Sequence, residues 1–389
     1  MANDLTFNQI STVLQEIYQQ ATGETAIAPQ NTAEFVSVAQ TALLTGYDNL
    51  IGAVSQVLAR TIFANRPYTR KFKDLEASDQ VYGNHVRKLS VIDKEFEDDK
   101  QLPLTEGQSI DQQVVSKPEI LQTNFYGQEA FGKHITIFAD QMNVAFSGPD
   151  ELAQFVALYM QNVSDMLEQG RETLARSTVA NLITGTIAAG NANQGIHLLT
   201  EYNTLAGQTL TEKSMYAPEN FAPFMRFCFA RIASISSMLT ERSRIFHQNI
   251  TGKEVQRHTP KELQRAYLYA PTQYNIEAQV LATTYNDQYL KGVKGELVNY
   301  WQNIQTPDQI QATASYLKPD GTVGTTDPTT TSKIFGIIMD RDAAGYNVFQ
   351  QSAETSPYNA AGRYQNTWFH EVRRYWTDPT ENAVVLLLD

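Results

Sequence analysis

The residues able to do chemistry in this chain are few and scattered. Its six histidines, His85, His134, His197, His247, His258 and His370, form no His-x-x-x-His pair on a helix. None has a carboxylate at ligand spacing, so no metal site is expected. His134 and His370 fall in strand-like segments, where a hydrogen-bonded interior or interface imidazole fits better than a catalytic one. The single cysteine, Cys228, lies in an apolar helical run, which predicts a buried, inert thiol. One cysteine cannot close an intrachain disulfide, and the chain is expected to fold in a reducing compartment. Asp340 and Asp342 flank Arg341 as a carboxylate pair, but they have no recognisable partner and read as a turn. There is no Gly-x-x-x-x-Gly-Lys-Ser/Thr phosphate loop, no Gly-x-Gly-x-x-Gly after a strand and no Gly-x-Ser-x-Gly elbow. The expectation is a protein with no catalytic residue, no cofactor and no metal, hence not an enzyme.

The more informative residues are charged. Arg66, Arg70, Lys71 and Lys73 form a basic cluster. It precedes a stretch carrying the acids Asp93, Glu95, Glu97, Asp98 and Asp99. If that stretch reaches a neighbouring copy of the chain, the two segments can meet across a subunit boundary and set register and specificity. The bland alternative is two solvated charged faces.

At 389 residues with 42% hydrophobic content, the chain can fill a substantial core. Its net charge of -12 repels a phosphate backbone, which argues against a dedicated DNA wrapper. Only 19% of residues are charged, while Tyr (19) and Phe (18) are plentiful, a balance suited to large protein contacts. The opening MANDLTFNQI lacks the pattern of a secretion signal and is expected to be the mature terminus. No apolar run approaches the roughly 20 residues of a membrane helix, so a soluble chain is expected.

The elements that would position these residues follow in order. An amphipathic stretch over 4–20 and a second helical stretch over 33–60 look like helices strung on a flexible arm. From about 61 to 126 the pattern changes to short alternating pieces with turns near Pro103, Gly107 and Pro118. This predicts a long two-stranded ribbon, which is marginal alone and needs something outside its own domain to pack on. Residues 130–146 are mostly strand-like. Pro149, Asp150 and Glu151 then start a helix of about 35 residues, whose heptad seam weakens after Gly170, making a sustained coiled coil the poorer reading. Residues 185–215 read as loop, 219–243 as helix, 265–271 as strand, 275–291 as helix and 317–332 as loop. Strands are expected at 334–339, 364–375 and 383–388, the last two forming a hairpin. The class is α+β.

This order of parts resembles the tailed-bacteriophage major capsid protein family, with its Hong Kong 97-type fold. The sharper match is the ending: IFGIIMDRDAAG from Ile334, PYNAAGRYQNTWFH from Pro357 and RYWTDPTENAVVLLLD from Arg374 look like the closing segments of podophage-like capsid proteins. The resemblance implies an N-terminal arm (1–64), an extended loop (65–127) and a peripheral domain (128–189) with a spine helix (149–184). An axial domain (190–333) and C-terminal strands returning to the peripheral/axial sheet (334–389) complete the division. Trp368, Phe369, Tyr375 and Trp376 would anchor the final strands.

The implied function is self-assembly as hexamers and pentamers into an icosahedral shell. That shell would enclose the double-stranded DNA of a tailed phage without sequence-specific binding. Implied partners are other copies of the chain, a portal, a separate scaffolding protein and decoration proteins, with no membrane. Assembly would take place in the host bacterial cytoplasm. The rival readings are an encapsulin-like compartment shell and a cytosolic enzyme with an unfamiliar site.

Overall fold

The computed structural model describes residues 7–24, 29–44, 49–54, 57, 70–77, 86–92, 104–111, 113, 115, 117, 119–272 and 295–389. Of the expected features, Arg66, His85, the acids Asp93 to Asp99 and the helix over 275–291 lie outside these residues.

The chain divides into two compact units. The first takes residues 1–82, 128–174 and 347–374, and the second takes 83–127, 175–346 and 375–389.

In the first unit, helix α1 (Phe7–Thr22) buries Ile10, Leu14 and Ile17, a helical spacing that puts all three on one face. Helix α2 (Thr32–Leu44) is capped by Asn31, whose Oδ1 accepts the Glu34 amide at 2.9 Å, and it buries Phe35, Ala39 and Ala42. A further helical turn over 49–54 adds Leu50, Ile51 and Val54. These residues share one core with Met142, Leu152, Val156 and Val163. The segment expected as helices on an arm is therefore, in its described residues, part of a packed core. Its apolar faces are covered within the unit.

In the second unit a ribbon pairs β1 (Val86–Ile92) with β2 (Glu119–Phe125) antiparallel. The first unit continues with β3 (Gln128–Phe138), α3 (Ala139–Ala145) and the start of α4 (Pro149–Ala188). The stretch expected as mostly strand thus turns helical at Ala139, where Phe138 donates its amide to the Gln141 side chain. The weakening of the apolar seam along α4 also has a cause. Near Gly170 the buried positions pass from Val163 to the charged Glu168, Arg171 and Glu172.

The stretch expected as loop after α4 contains structure: β4 (Gly195–His197), α5 (Leu198–Ala206) and α6 (Glu212–Met215). Helix α7 (Pro218–Met238) follows, with Pro218 in its first turn, where a missing N–H costs nothing. Strands β5 (Gln264–Tyr269) and β6 (Gly295–Val298) precede two small pairs, β7 (Ile310–Ala312) with β10 (Thr329–Thr331) and β8 (Ser315–Leu317) with β9 (Val323–Thr325). Then come β11 (Ile334–Asp340), β12 (Ala344–Thr355), β13 (Tyr364–Thr377) and β14 (Ala383–Leu387).

The main sheet runs β4-β14-β11-β5-β6, and a three-stranded sheet runs β12-β13-β3. The expected C-terminal hairpin is not formed, because β14 pairs with β11 while β13 pairs with β3. The turn at 378–382 changes sheets instead of returning along the same one. Every residue of β11 and β14 is buried, which is why these strands read as continuous apolar runs and not as alternation.

Candidate assembly surface

Directly opposed residues of an antiparallel pair share a face, and successive residues alternate between faces. In the ribbon, Lys88, Ser90, Leu121 and Thr123 take one face, with Ser90 opposite Leu121 and Lys88 opposite Thr123. Leu89, Val91, Ile120 and Gln122 take the other, with Val91 opposite Ile120. The first face is held by its own unit. Ser90 Oγ accepts from Arg257 Nη2 at 2.8 Å, and Lys88 Nζ pairs with Asp378 and Glu381. The second is open: Leu89, Val91 and Ile120 are 58%, 59% and 61% exposed. Three adjacent branched apolar side chains in water form a patch with no partner among the described residues of this unit. The described part of the ribbon is thus less independent than expected, since one of its two faces packs on its own unit.

The basic cluster is divided by the fold. Arg70 is 2% exposed, and its guanidinium pairs with Glu168 at 2.6 Å and with Glu76. The neighbouring Lys71 donates its backbone amide to Glu172 at 2.9 Å, while the side chains of Lys71 and Lys73 are exposed. Arg70 belongs to a buried ionic cluster of the first unit. In it Arg171 Nε donates to Glu371 at 3.1 Å and Nη1 stands 3.5 Å from Glu168, while Arg373 pairs with Glu371. Three guanidiniums thus face the carboxylates of Glu76, Glu168 and Glu371. Gly170 leaves room for this packing, since a Cβ there would stand 2.9 Å from Arg373 Nη1. Burial works to raise the Glu371 carboxyl. Hydrogen bonding and charge from Arg171, the charge of Arg373 and the Gln351 amide outweigh it and hold the group below its ordinary range. Sequence reading missed these acids, and the one available signal was the run of charges interrupting the apolar seam of α4.

The remaining candidates behave as structure. Cys228 is fully buried in α7, and burial pushes its thiol up, away from thiolate chemistry. His134 and His370 are exposed, not interior, and both lie beside Trp368, the His134 ring tilted to it at a centroid distance of 4.5 Å and the His370 ring stacked at 6.3 Å. His247 is buried against the Val255 carbonyl and Asn382, and burial lowers its pKa. Asp340 accepts from the Thr259 hydroxyl and from the Asp342 amide, which makes the Asp340–Asp342 pair a turn. Phe369 joins the core of the first unit, and Trp376 Nε1 donates to the Asp342 carbonyl. Among the described residues no group of three or more His, Cys, Asp or Glu is placed to hold a metal. Among them, too, no helix is long and apolar enough to cross a membrane.

Solved structures share this fold. The capsid structure of Staphylococcus phage Andhra matches with a TM-score of 0.53 at 10% identity, over 84% of this chain and 86% of that one. A chain of native bacteriophage P68, from a structure of head fiber and inner core protein gp22, matches with a TM-score of 0.52 at 10% identity, again over 84% and 86%. No curated protein matches the chain. The architecture is that of a tailed-phage capsid subunit of the Hong Kong 97 type. Residues 10–387 match the Phi29-like phage major capsid protein family, and the chain belongs to it. It is a structural protein of the virion shell, built by association of like subunits.

Proposed function

We propose that the chain assembles as hexamers and pentamers into an icosahedral head around double-stranded DNA, and that the ribbon's open face is a contact between copies. The observation carrying this reading is the strip of Leu89, Val91 and Ile120, exposed on an element whose other face is already held. Apolar area of this kind gains free energy only when a neighbour covers it, at roughly 25 cal/mol per Å². Shell subunits that bury about 2,000 Å² or more against several neighbours then need no single strong contact. Head-to-tail contacts that close on themselves give rings. The arm, extended loop, peripheral and axial divisions at 1–64, 65–127, 128–189 and 190–333 belong to the same proposal, as does the return of 334–389 to the sheet.

Charge would add register. Arg70 is committed within its own unit, so Lys71 and Lys73 carry the described part of the basic patch, with Arg66 beside them in sequence. Their counterparts would be Asp93, Glu95, Glu97, Asp98 and Asp99 of a neighbouring copy. Portal, scaffolding and decoration proteins, and assembly in the host cytoplasm, complete the proposal. The family favours a phage head over a cargo compartment and a structural role over an enzyme. Reversing Glu97, Asp98 and Asp99 to Lys tests the charge contact by electron microscopy of the expressed protein. Fewer shells from a normally folded chain are expected, and an unchanged shell yield would dispose of the contact.

A further inference from the structure

One cavity of the second unit, about 650 Å³ in volume, belongs neither to the core nor to the ribbon. It opens beside the short β7–β10 pair, and the local fold explains its polarity. Ile310 and the Thr331 opposite it are buried, so alternation turns Gln311 and its own opposite, Thr330, outward into the cavity, with Gln309 two residues before Gln311 on the same lining. The loop that forms the rest of the wall is fastened from beneath. Trp301 is 2% exposed, and its Nε1 donates to the Ile334 carbonyl at 3.1 Å. The Gln302 side chain adds a rung to β7, donating to the Gln311 carbonyl at 2.9 Å and accepting the Gln311 amide at 2.7 Å. Asn303 Oδ1 accepts the Gln305 amide at 3.0 Å, and the Gln309 amide donates to the Thr306 carbonyl at 3.2 Å. The walls are set before any ligand arrives, which lowers the entropy lost on binding.

The lining narrows the class of ligand. Among the described residues, no side chain that lines the cavity carries a formal charge; it offers carboxamides, hydroxyls, two isoleucines and the single aromatic ring of Tyr300. An anion would meet no cation there, on a chain whose net charge is already -12. An apolar ligand would strip water from the carboxamides and hydroxyls without replacing their hydrogen bonds. The remaining match is an uncharged molecule dense in hydroxyl groups that also has a flat C–H surface.

We propose that this cavity binds a neutral glycan. Gln309 and Gln311 each present an acceptor and two donors in one plane, which suits adjacent sugar hydroxyls, and the Thr306 and Thr330 hydroxyls can donate or accept as the sugar requires. Tyr300 supplies the stacking surface. The Arg176 guanidinium lies 3.9 Å from the Tyr300 ring centroid, and its Nη1 donates to the Tyr300 carbonyl, so one face of the ring is covered and its position fixed. The other face is left for the C–H side of a pyranose. A single site of this kind binds weakly, because every sugar hydroxyl it takes was already hydrogen-bonded to water. Repeated over a shell, as proposed above, it would gain by avidity what it lacks singly.

Labelled full-length protein on an array of neutral, sialylated and sulfated oligosaccharides, with unglycosylated peptides as further spots, tests the assignment. Binding is expected on neutral glycans, and the brightest of them is then titrated by saturation-transfer NMR. Gln309→Ala combined with Gln311→Ala should weaken that binding roughly tenfold or more. Circular dichroism and the thermal transition should stay as in wild type, since neither side chain belongs to the core. Thr330→Trp, which fills the cavity from an exposed position, should abolish binding, while Tyr300→Phe should keep it. Binding to no neutral glycan, binding confined to acidic glycans or to bare peptide, or neutral-glycan binding unchanged in the double alanine variant overturns the proposal.

Discussion

Strand β14 and the β1–β2 ribbon are both rich in branched apolar residues, yet the fold treats them oppositely. Val384, Val385 and Leu386 are fully buried between β11 and β4, whereas Leu89, Val91 and Ile120 keep more than half their surface in water. Hydrophobicity alone therefore does not distinguish a core strand from an assembly strand. The pattern does: β14 is apolar at every position, because both its faces are covered, while β1 alternates Lys88, Ser90 and Ile92 with Leu89 and Val91. The covered strand holds the unit together. The half-covered one leaves free energy to be gained between copies.

The largest expected effect comes from charging the covered strand. Val385→Asp puts an unpaired carboxylate at a fully buried position, so the second unit should fail to fold, read as loss of soluble protein and of a cooperative thermal transition. Next is the ionic core of the first unit. Glu371→Gln leaves Arg171 and Arg373 buried without their shared carboxylate and should cost about 3–5 kcal/mol at neutral pH by denaturant titration. Because the folded Glu371 carboxyl lies below its unfolded value, its contribution is present above about pH 4.3 and fades as pH falls through the folded value. The gap between wild type and Glu371→Gln should therefore narrow in acid. A constant gap would mean that packing, not charge, gives Glu371 its weight. The smallest effect on the chain itself should follow from Leu89→Ser, Val91→Ser and Ile120→Ser together. Exposed substitutions of this kind change stability by about 0.5 kcal/mol or less each.

Much of this division was legible in the sequence. The start of α4 at Pro149 follows from proline and acids in a first turn, α7 from the apolar helical spacing that predicted a helix over 219–243, and β11 and β14 from their apolar runs. What escaped was set by distant partners. The separation of β13 from β14 depends on which strand each pairs with, and a turn at Asp378–Glu381 reads the same whether it reverses a hairpin or changes sheets. The short elements β4, α5 and α6 lie in a Gly/Asn/Thr-rich stretch whose local preference is for loop; Leu198 and Leu199 are ordered by the core they join. Strand β12 alternates weakly after Tyr346 and gave no periodic signal. Arg70 looked like a surface cation because its neighbours in sequence are cations. Its carboxylate partner Glu168 is nearly a hundred residues away in sequence.

The most direct measurement is sedimentation with electron microscopy of the purified triple serine variant beside wild type. Ribbon-mediated assembly predicts shells from wild type, and from the variant a folded, soluble subunit with an unaltered thermal transition that no longer forms them. Shells of normal size and yield from the variant would contradict it, because the open face of the ribbon would then have no part in joining one copy to the next.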